Sequence, residues 1–98
     1  MNIQAMMKQA QAIQKNMMQA KEEIDNTTYE NTTSFVTVSA KGTRKIEKIV
    51  INKEALDADD IEMVQDMLVV AINDVMKQID EETEKKLGKY TQGMPGLF

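Results

Sequence analysis

The side chains that could do chemistry in this chain of 98 residues are carboxylates, lysines and hydroxyls, because the sequence contains neither His nor Cys. The commonest general base, the usual nucleophilic thiolate and the usual zinc ligands are therefore missing. Asp57, Asp59 and Asp60 could supply a carboxylate pair for acid–base catalysis. Their spacing is better suited to the N-cap and first turn of a helix, where the helix dipole is positive. This predicts a structural role.

Two further groups of polar residues could form sites. The acidic run from Asp80 to Glu84 could bind a divalent cation, but a helix spaces carboxylates poorly for an oxygen cage, so a solvated face is favoured. Asn73 and Asp74 directly follow an apolar run, and if buried they need hydrogen-bond partners. Bracing of the neighbouring backbone is favoured over a ligand contact. The sequence thus predicts no enzyme, no metal and no cofactor.

Basic side chains gather in three groups, and each group alone is ordinary solubility charge. Along the chain these groups are Lys8 and Lys15, then Lys41, Arg44, Lys45 and Lys48, then Lys85, Lys86 and Lys89. A homodimer would double each group and could present a surface that contacts phosphates. A single Arg leaves little capacity for reading guanine, so binding would show weak sequence preference and strong salt dependence.

The net charge of −4 at pH 7 is unevenly distributed. Residues 1–50 carry seven basic and five acidic groups, whereas residues 51–98 carry five basic and eleven acidic groups. An acidic total counts against a strong generic nucleic-acid binder. With no Trp, two Tyr and two Phe, the chain also has little material for base stacking.

The sequence predicts a cytoplasmic protein without membrane contact. Its N-terminus lacks the apolar segment of a signal peptide, and the longest apolar run, residues 67–72, is too short to cross a bilayer.

The first helix is predicted from near Asn2 to near Asn26 and carries a heptad seam. The a and d positions of this seam are Ile3, Met6, Ala10, Ile13, Met17, Ala20 and Ile24. Such a seam needs a partner along its whole length, and we expect it to pack on the second helix of the same chain. Lys8 and Lys15 then fall at the outermost f position and stay free.

Three strands are predicted between the helices, at residues 27–33, 35–40 and 46–51. Short turns between them favour antiparallel hairpins. The alternation changes phase in the third strand, where Ile46 faces one way and Ile49 and Ile51 face the other. Either a β-bulge intervenes or both faces of this strand are buried.

The second helix is predicted from about Asp60 to Lys86 or Leu87, with Asp59 as its N-cap and Gly88 at the C′ position. Its predicted core stripe is Ile61, Val64, Leu68, Ala71 or Ile72, Val75 and Ile79.

The middle of this helix, residues 67–72, is apolar almost all round, and a helix that is hydrophobic on every side is enclosed on every side. This enclosure predicts a homodimer. Residues 80–89 are nearly all polar and are expected to project into solvent. Residues 1–89 are therefore predicted to form one domain of the α+β class, and residues 90–98, with two Gly and the only Pro, a flexible tail.

Several stretches match one protein family in the same order along the chain. In chain order these stretches are residues 7–15 and 22–24, residues 36–38 and Gly42, residues 49–52 and 54–56, residues 68–75, and residues 93–96. Residues 68–75 are an apolar run that ends with the pair Asn73-Asp74 and Val75. Together they resemble the YbaB/EbfC family of bacterial nucleoid-associated proteins. The family's Gly-rich first turn is replaced here by Asn31-Thr32-Thr33, and its usual Asp-Pro after the third strand by Asn52-Lys53.

This resemblance implies a homodimer in which three-stranded sheets meet near the two-fold axis and long helices project like tweezer arms. It also implies double-stranded DNA as the partner and a role in nucleoid organisation. The positions that match the DNA-contacting helix ends are Lys8, Lys15, Lys85, Lys86 and Lys89. Lys41, Arg44 and Lys45 are additional candidates for DNA contact.

The dimer interface is predicted in the third strand and the middle of the second helix, at Ile49, Ile51, Leu68, Val69 and Ile72. An alternative function stays open, in which the helical arms grip a protein partner rather than DNA. A second apolar strip on the first helix, formed by Ala5, Met7, Ala12 and Met18, favours that alternative, as does the acidic second helix. A pull-down from nuclease-treated lysate would distinguish the two.

Overall fold

The fold is seen in a computed structural model, which describes residues 2–91. It consists of helix α1 (Ile3–Asn26), strands β1 (Thr28–Thr33), β2 (Val36–Lys41) and β3 (Ile46–Ile51), and helix α2 (Ala58–Thr91). The strands are antiparallel and lie in the order β1-β2-β3, so that β2 is central. The predicted helix, three-strand, helix order and the α+β class are confirmed.

The first hairpin turns at Ser34 and Phe35, because Thr33 pairs with Val36. Residues 31–33, which the family resemblance assigned to the first turn, instead lie in β1 opposite β2. Ser34 has a φ of 54°, in the left-handed region that Gly adopts without steric cost. A two-residue hairpin loop commonly requires this conformation at its first position.

The core lies between the central strand and α2. Alternate side chains of β2 point to one face of the sheet, and Val36, Val38 and Ala40 are fully buried there. The side chains of α2 that pack on them are Val64, Ala71, Val75 and Ile79. Ile61, which was predicted to join this stripe, is instead exposed.

Strand β3 is left uncovered by its own chain. Within residues 2–91, α2 packs on β1 and β2 and makes no contact with β3. The pairing passes from Ser39–Lys48 to Ala40–Ile46, so Glu47 is the extra residue of a β-bulge. The bulge that the phase change allowed is therefore present, whereas all six residues of β3 are exposed in the single chain.

Helix α2 begins two residues earlier than predicted, with Asp57 rather than Asp59 at the N-cap position. The Asp57 Oδ1 accepts a hydrogen bond from the Asp59 N–H, and the Asp60 carboxylate accepts one from the Asp57 N–H, each at 3.0 Å. This reciprocal pair is a capping box built with Asp in place of Glu. It satisfies backbone donors at the start of the helix that would otherwise lack a partner.

Helix α2 also ends later than predicted, because it continues through Gly88 to Thr91. Leu87 is 2% exposed and lies at the junction with Ile24 of α1, so the expectation that residues 80–89 project into solvent is wrong on this face. Two residues of the predicted tail, Tyr90 and Thr91, belong to the helix. The rest of that tail, residues 92–98, lies outside the described residues.

Only the C-terminal end of α1 packs firmly on the rest of the chain. Ile24 is 3% exposed, whereas Ile13 is 43% and Ile3 is 70% exposed. The expectation that the whole heptad seam packs on the second helix is therefore wrong. The cause is length, since α2 reaches its end beside Ile13 and Met17, in the middle of α1. None of the helical residues 3–20, which we call the arm, is buried.

Candidate nucleic-acid interface

The arm carries two exposed cations, Lys8 and Lys15. A separation of seven residues places them on one side of the helix, and that side is opposite to the heptad seam. No Asp or Glu occurs before Glu22, and within residues 2–91 neither lysine has a carboxylate within salt-bridge distance. The arm thus presents uncompensated positive charge on a chain that is acidic overall.

The end of α2 holds the second group of predicted cations, and its members differ in their surroundings. Lys85 and Lys89 are exposed, and the Lys89 Nζ lies 5.0 Å from the centroid of the Tyr90 ring. Lys86 is instead held between Glu23 of α1, at 3.0 Å, and Glu82, at 3.5 Å. The hydrogen bond to Glu23 is the largest cause that raises the pKa of Lys86. Lys86 therefore joins the two helices.

The third group of predicted cations surrounds the turn between β2 and β3. The Lys41 Nζ donates to the Asn26 carbonyl at 3.3 Å and to the Thr28 hydroxyl at 2.9 Å. Arg44 forms an ion pair with Asp80 on α2, and a nitrogen of its guanidinium also lies 3.6 Å from the Met76 Sδ. Lys45 is exposed. Two members of this group thus hold the turn against the helices.

The arm and the end of α2 lie together, because α1 and α2 run antiparallel. Glu23 meets Lys86, and further along both helices Ile13 and Met17 line a groove with Tyr90. Lys89 of the third basic group therefore lies beside the arm. The turn that carries Lys41, Arg44 and Lys45 lies beside the C-terminus of α1, where Gly42 and Arg44 line a pocket with Leu87.

Gly42 sets the position from which the arm projects. A Cβ atom at this residue would lie 1.9 Å from the backbone carbonyl oxygen of Ile24. The Gly42 N–H also donates to the Thr27 carbonyl at 3.2 Å, just after α1 ends. The sequence marked Gly42 only as a turn residue. Its close approach to α1 brings together residues 18 positions apart, and no local pattern signals that contact.

Asp74 has a structural role, but its partners are two side chains and not the neighbouring backbone that was expected. Its Oδ2 accepts hydrogen bonds from the Gln78 Nε2 at 2.8 Å and from the Asn31 Nδ2 at 2.9 Å. These two bonds, the one from Gln78 first, lower the pKa of Asp74 below the ordinary 3.8. Because Asn31 lies on β1, the carboxylate connects α2 to the sheet. Asn73 is exposed.

The acidic residues at the start of α2 are engaged in capping. The buried Asp60 accepts a hydrogen bond from the Lys53 Nζ at 2.8 Å, and this bond is the largest cause that lowers the pKa of Asp60.

Within the described part of the chain, no group of three or more carboxylates is arranged to hold a metal ion. Within the same part, neither helix is both long enough and apolar enough to cross a membrane.

The residues predicted for the dimer interface fall into two classes. Ile49, Ile51 and Val69 are exposed in the single chain. Leu68 and Ile72 are half-buried and pack against the chain's own core. Ile49 pairs with Val38, and Ile51 pairs with Val36. Both isoleucines therefore lie on the face of the sheet that α2 covers over β1 and β2.

Comparison with known proteins connects this arrangement to one family. The sequence profile of the YbaB/EbfC DNA-binding family matches residues 1–94. The chain belongs to the YbaB/EbfC DNA-binding family. The YbaB/EbfC match spans both helices and the whole sheet, so it covers all three basic groups.

Curated relatives support the same assignment over nearly the full length. A nucleoid-associated protein of Lactococcus lactis subsp. cremoris is 46% identical over 97 residues, which cover 97% of this chain and 98% of the relative. Nucleoid-associated proteins of Oceanobacillus iheyensis and Enterococcus faecalis are 46% and 41% identical, covering 99% and 98% of this chain and 97% and 94% of the relatives. The predicted YbaB/EbfC membership is therefore confirmed.

Proposed function

We propose that this protein is a nucleoid-associated protein that binds duplex DNA as a homodimer, mainly through contacts to phosphates. The observation that carries this proposal is the arm, because Lys8 and Lys15 are exposed cations without a carboxylate partner among the described residues. The family's description as DNA-binding directs the proposal to nucleic acid rather than to another polyanion. The relatives are named nucleoid-associated proteins, and we therefore propose the nucleoid as the site of action.

Lys85 and Lys89 complete the proposed contact surface. Both are exposed, and Lys89 lines a groove with Ile13 and Met17 of the arm. Lys86 adds charge there, but its ion pairs to Glu23 and Glu82 make it a link between the helices first. Lys45 is an exposed cation of the turn group and a secondary contact. Lysine is a point charge with rotatable donors, so this set favours phosphates over base edges.

The homodimer is supported by the surface that one chain leaves open. Apolar side chains are exposed both on β3, where Ile49 is 45% exposed, and on the outer face of α2, where Val69 is 59% and Val70 is 55% exposed. Exposed apolar surface of this kind marks an interaction site. A second copy of the chain would cover it with an identical region, as a two-fold interface requires.

Charge reversal on the arm tests the proposed DNA contact. The double variant Lys8→Glu, Lys15→Glu is expected to bind duplex DNA about tenfold or more weakly at low salt, because attraction to phosphates becomes repulsion. Gel shift measures the affinity, and circular dichroism and light scattering check that the fold and the association state are unchanged.

The matched control is the double variant Lys21→Glu, Lys77→Glu. It changes the net charge by the same amount, but both lysines already have a neighbouring carboxylate, Asp25 at 3.3 Å and Glu81 at 3.8 Å. Its loss of affinity should be clearly smaller. If the two double variants lose affinity equally, the arm is not the DNA contact.

A second candidate function is a protein–protein interaction module whose arms grip a protein partner. The exposed apolar side chains of the arm, Ile3, Met6 and Met7 among them, favour it. A pull-down from nuclease-treated lysate separates the two candidates. A partner that is retained after nuclease and competes with DNA for the arm would favour the protein-binding function.

A further inference from the structure

Among residues 2–91, one ion pair joins helix α1 to helix α2. The Lys86 Nζ lies 3.0 Å from the carboxylate of Glu23, just after the arm, and 3.5 Å from that of Glu82, one turn earlier on α2. We call Glu23, Glu82 and Lys86 the interhelical cluster. The Lys86 side chain is 33% exposed, so it is only partly accessible to a phosphate.

A small rotation of α1 at this cluster is amplified along the arm. Lys8 precedes Glu23 by 15 residues, which correspond to about 22 Å along a helix. A rotation of α1 by about 10° at Glu23 would therefore move residue 8 by about 4 Å. This displacement exceeds the length of a hydrogen bond between an ammonium and a phosphate, which is about 2.7–2.9 Å. The direction of α1 at Glu23 thus decides where the two arm lysines can meet phosphates.

Apolar packing anchors α1 firmly at one point only. Ile24, next to Glu23, is 3% exposed, whereas Met17 is half-buried and Ile13 is 43% exposed. One firm anchor sets the position of a helix but leaves its direction to weaker contacts, and the interhelical cluster lies directly beside that anchor. We propose that Glu23 and Lys86 are positioning residues that set the direction of the arm, and that Lys86 affects DNA binding through the arm rather than through a phosphate contact.

This inference deepens the proposed function and, for the effect on DNA, rests on it. Lys85 and Lys89 are exposed, whereas Lys86 already faces two carboxylates, and a phosphate would have to displace Glu23 to reach it. Loss of the interhelical cluster lowers the fraction of molecules whose arms point in the binding direction. The apparent affinity falls with that fraction, while the number of phosphate contacts in the complex stays the same.

The absence of Cys from the sequence lets two spin labels report on the direction of the arm. The labels are attached at Gln11→Cys on the arm and Lys77→Cys on α2, both exposed positions. Pulsed electron paramagnetic resonance measures the distance between them, and an excess of unlabelled protein isolates the distance within one chain. Lys86→Glu brings three carboxylates together, so the distance should shift or broaden by about 3 Å for each 10° of rotation.

The charge swap Glu23→Lys, Lys86→Glu should restore the wild-type distance and the DNA affinity, because it rebuilds the ion pair with reversed polarity. The matched control is Glu54→Lys, Lys86→Glu, which has the same net charge. Glu54 is exposed and precedes the opposite end of α2, so this control should restore neither. Circular dichroism checks that every variant keeps its helical content. An unchanged distance in Lys86→Glu, or equal recovery in the swap and the control, overturns the positioning role.

The salt dependence of duplex binding separates positioning from contact. Lys86→Gln should weaken binding by up to about fivefold for each arm, as loss of an exposed ion pair allows, and leave the slope of log affinity against log salt concentration unchanged. Lys89→Gln should reduce that slope by up to about 1.8, at about 0.9 for each of two contacts in a dimer. An equal fall of the slope in both variants overturns the proposal, because Lys86 is then a phosphate contact itself. If the wild type binds no DNA, the proposed function fails, whereas the spin-label distances still decide the positioning role.

Discussion

At the scale of single residues, Gly42 and Gly88 show how two buried glycines can have different roles. A methyl group on Gly42 would meet the Ile24 carbonyl oxygen at 1.9 Å, and that oxygen belongs to the backbone of α1. A methyl group on Gly88 would meet the Glu84 carboxylate at 2.6 Å, which can swing into solvent. Gly42 is therefore required by the fold, and Gly88 is not.

This contrast predicts opposite effects of the same substitution. Gly42→Ala should lower the free energy of unfolding by about 1–3 kcal/mol or more, because α1 must move away from the turn. Gly88→Ala should raise it by up to about 1 kcal/mol, because alanine is the better helix former. Thermal unfolding at one fixed protein concentration measures both. A Gly42→Ala variant as stable as the wild type would contradict the close contact.

At the scale of elements, Asp74 links α2 to the edge strand β1 through Gln78 and Asn31. Its pKa is lowered in the folded protein, so its stabilising contribution is complete above the ordinary value of 3.8 and is lost as the pH falls through the lowered value. Acidification should thus weaken the attachment of the helix to this strand.

The pH dependence of Asp74→Asn tests that link. At neutral pH the variant should unfold at a lower temperature than the wild type. The difference should shrink as the pH falls below 3.8 and through the lowered pKa of Asp74, where the wild-type carboxylate becomes protonated. Asp66→Asn, an exposed carboxylate on the same helix, is the control for the lost negative charge. A difference between Asp74→Asn and wild type that persists unchanged into acid would contradict the proposed hydrogen-bonded carboxylate.

The order and type of the elements were predictable because their hydrophobic periods are clear. Period-two alternation marked β2 correctly, and the phase change in β3 marked its bulge. Local sequence rules failed where a contact between distant parts of the chain determines where an element ends. Gly88 is a strong stop signal for a helix, yet burial of Leu87 against α1 offsets the cost of glycine and carries α2 on to Thr91.

The candidate site was only partly predictable from sequence. Residue types identified the eight candidate cations, but not which of them are already paired within the chain. Arg44 and Lys86 form ion pairs with residues 36 and 63 positions away, and such pairs depend on the packing of the helices. The heptad seam correctly identified an apolar face on α1, but it could not show that α2 ends too early to cover it.

At the scale of the whole molecule, the single chain is extended. Its extents are 71 × 22 × 14 Å, and its radius of gyration is 19.3 Å, against about 13 Å for a compact chain of similar length. Its accessible surface is 7345 Å², whereas a compact protein of this mass exposes about 5,700 Å². The excess surface lies on the arm, on β3 and on the outer face of α2, which favours association.

Dimerisation through β3 and α2 is tested by placing a charge on the outer face of α2. Val69→Lys should halve the mass measured by light scattering while the helical content is retained, because Val69 is exposed in the single chain and leaves its core intact. Met18→Lys on the arm, at a similar exposure, is the control and should remain dimeric. A wild-type protein that is monomeric at micromolar concentration would contradict the dimer.

The most direct test of the central claim is the salt dependence of duplex-DNA binding. A wild-type dimer that contacts phosphates through Lys8 and Lys15 of both chains should lose affinity steeply with salt. Replacing both lysines by Gln should reduce the slope of log affinity against log salt concentration by up to about 3.6, at about 0.9 for each of four contacts. No binding at low salt, binding indifferent to salt, or an unchanged slope in the Lys8→Gln, Lys15→Gln variant would contradict the proposed function.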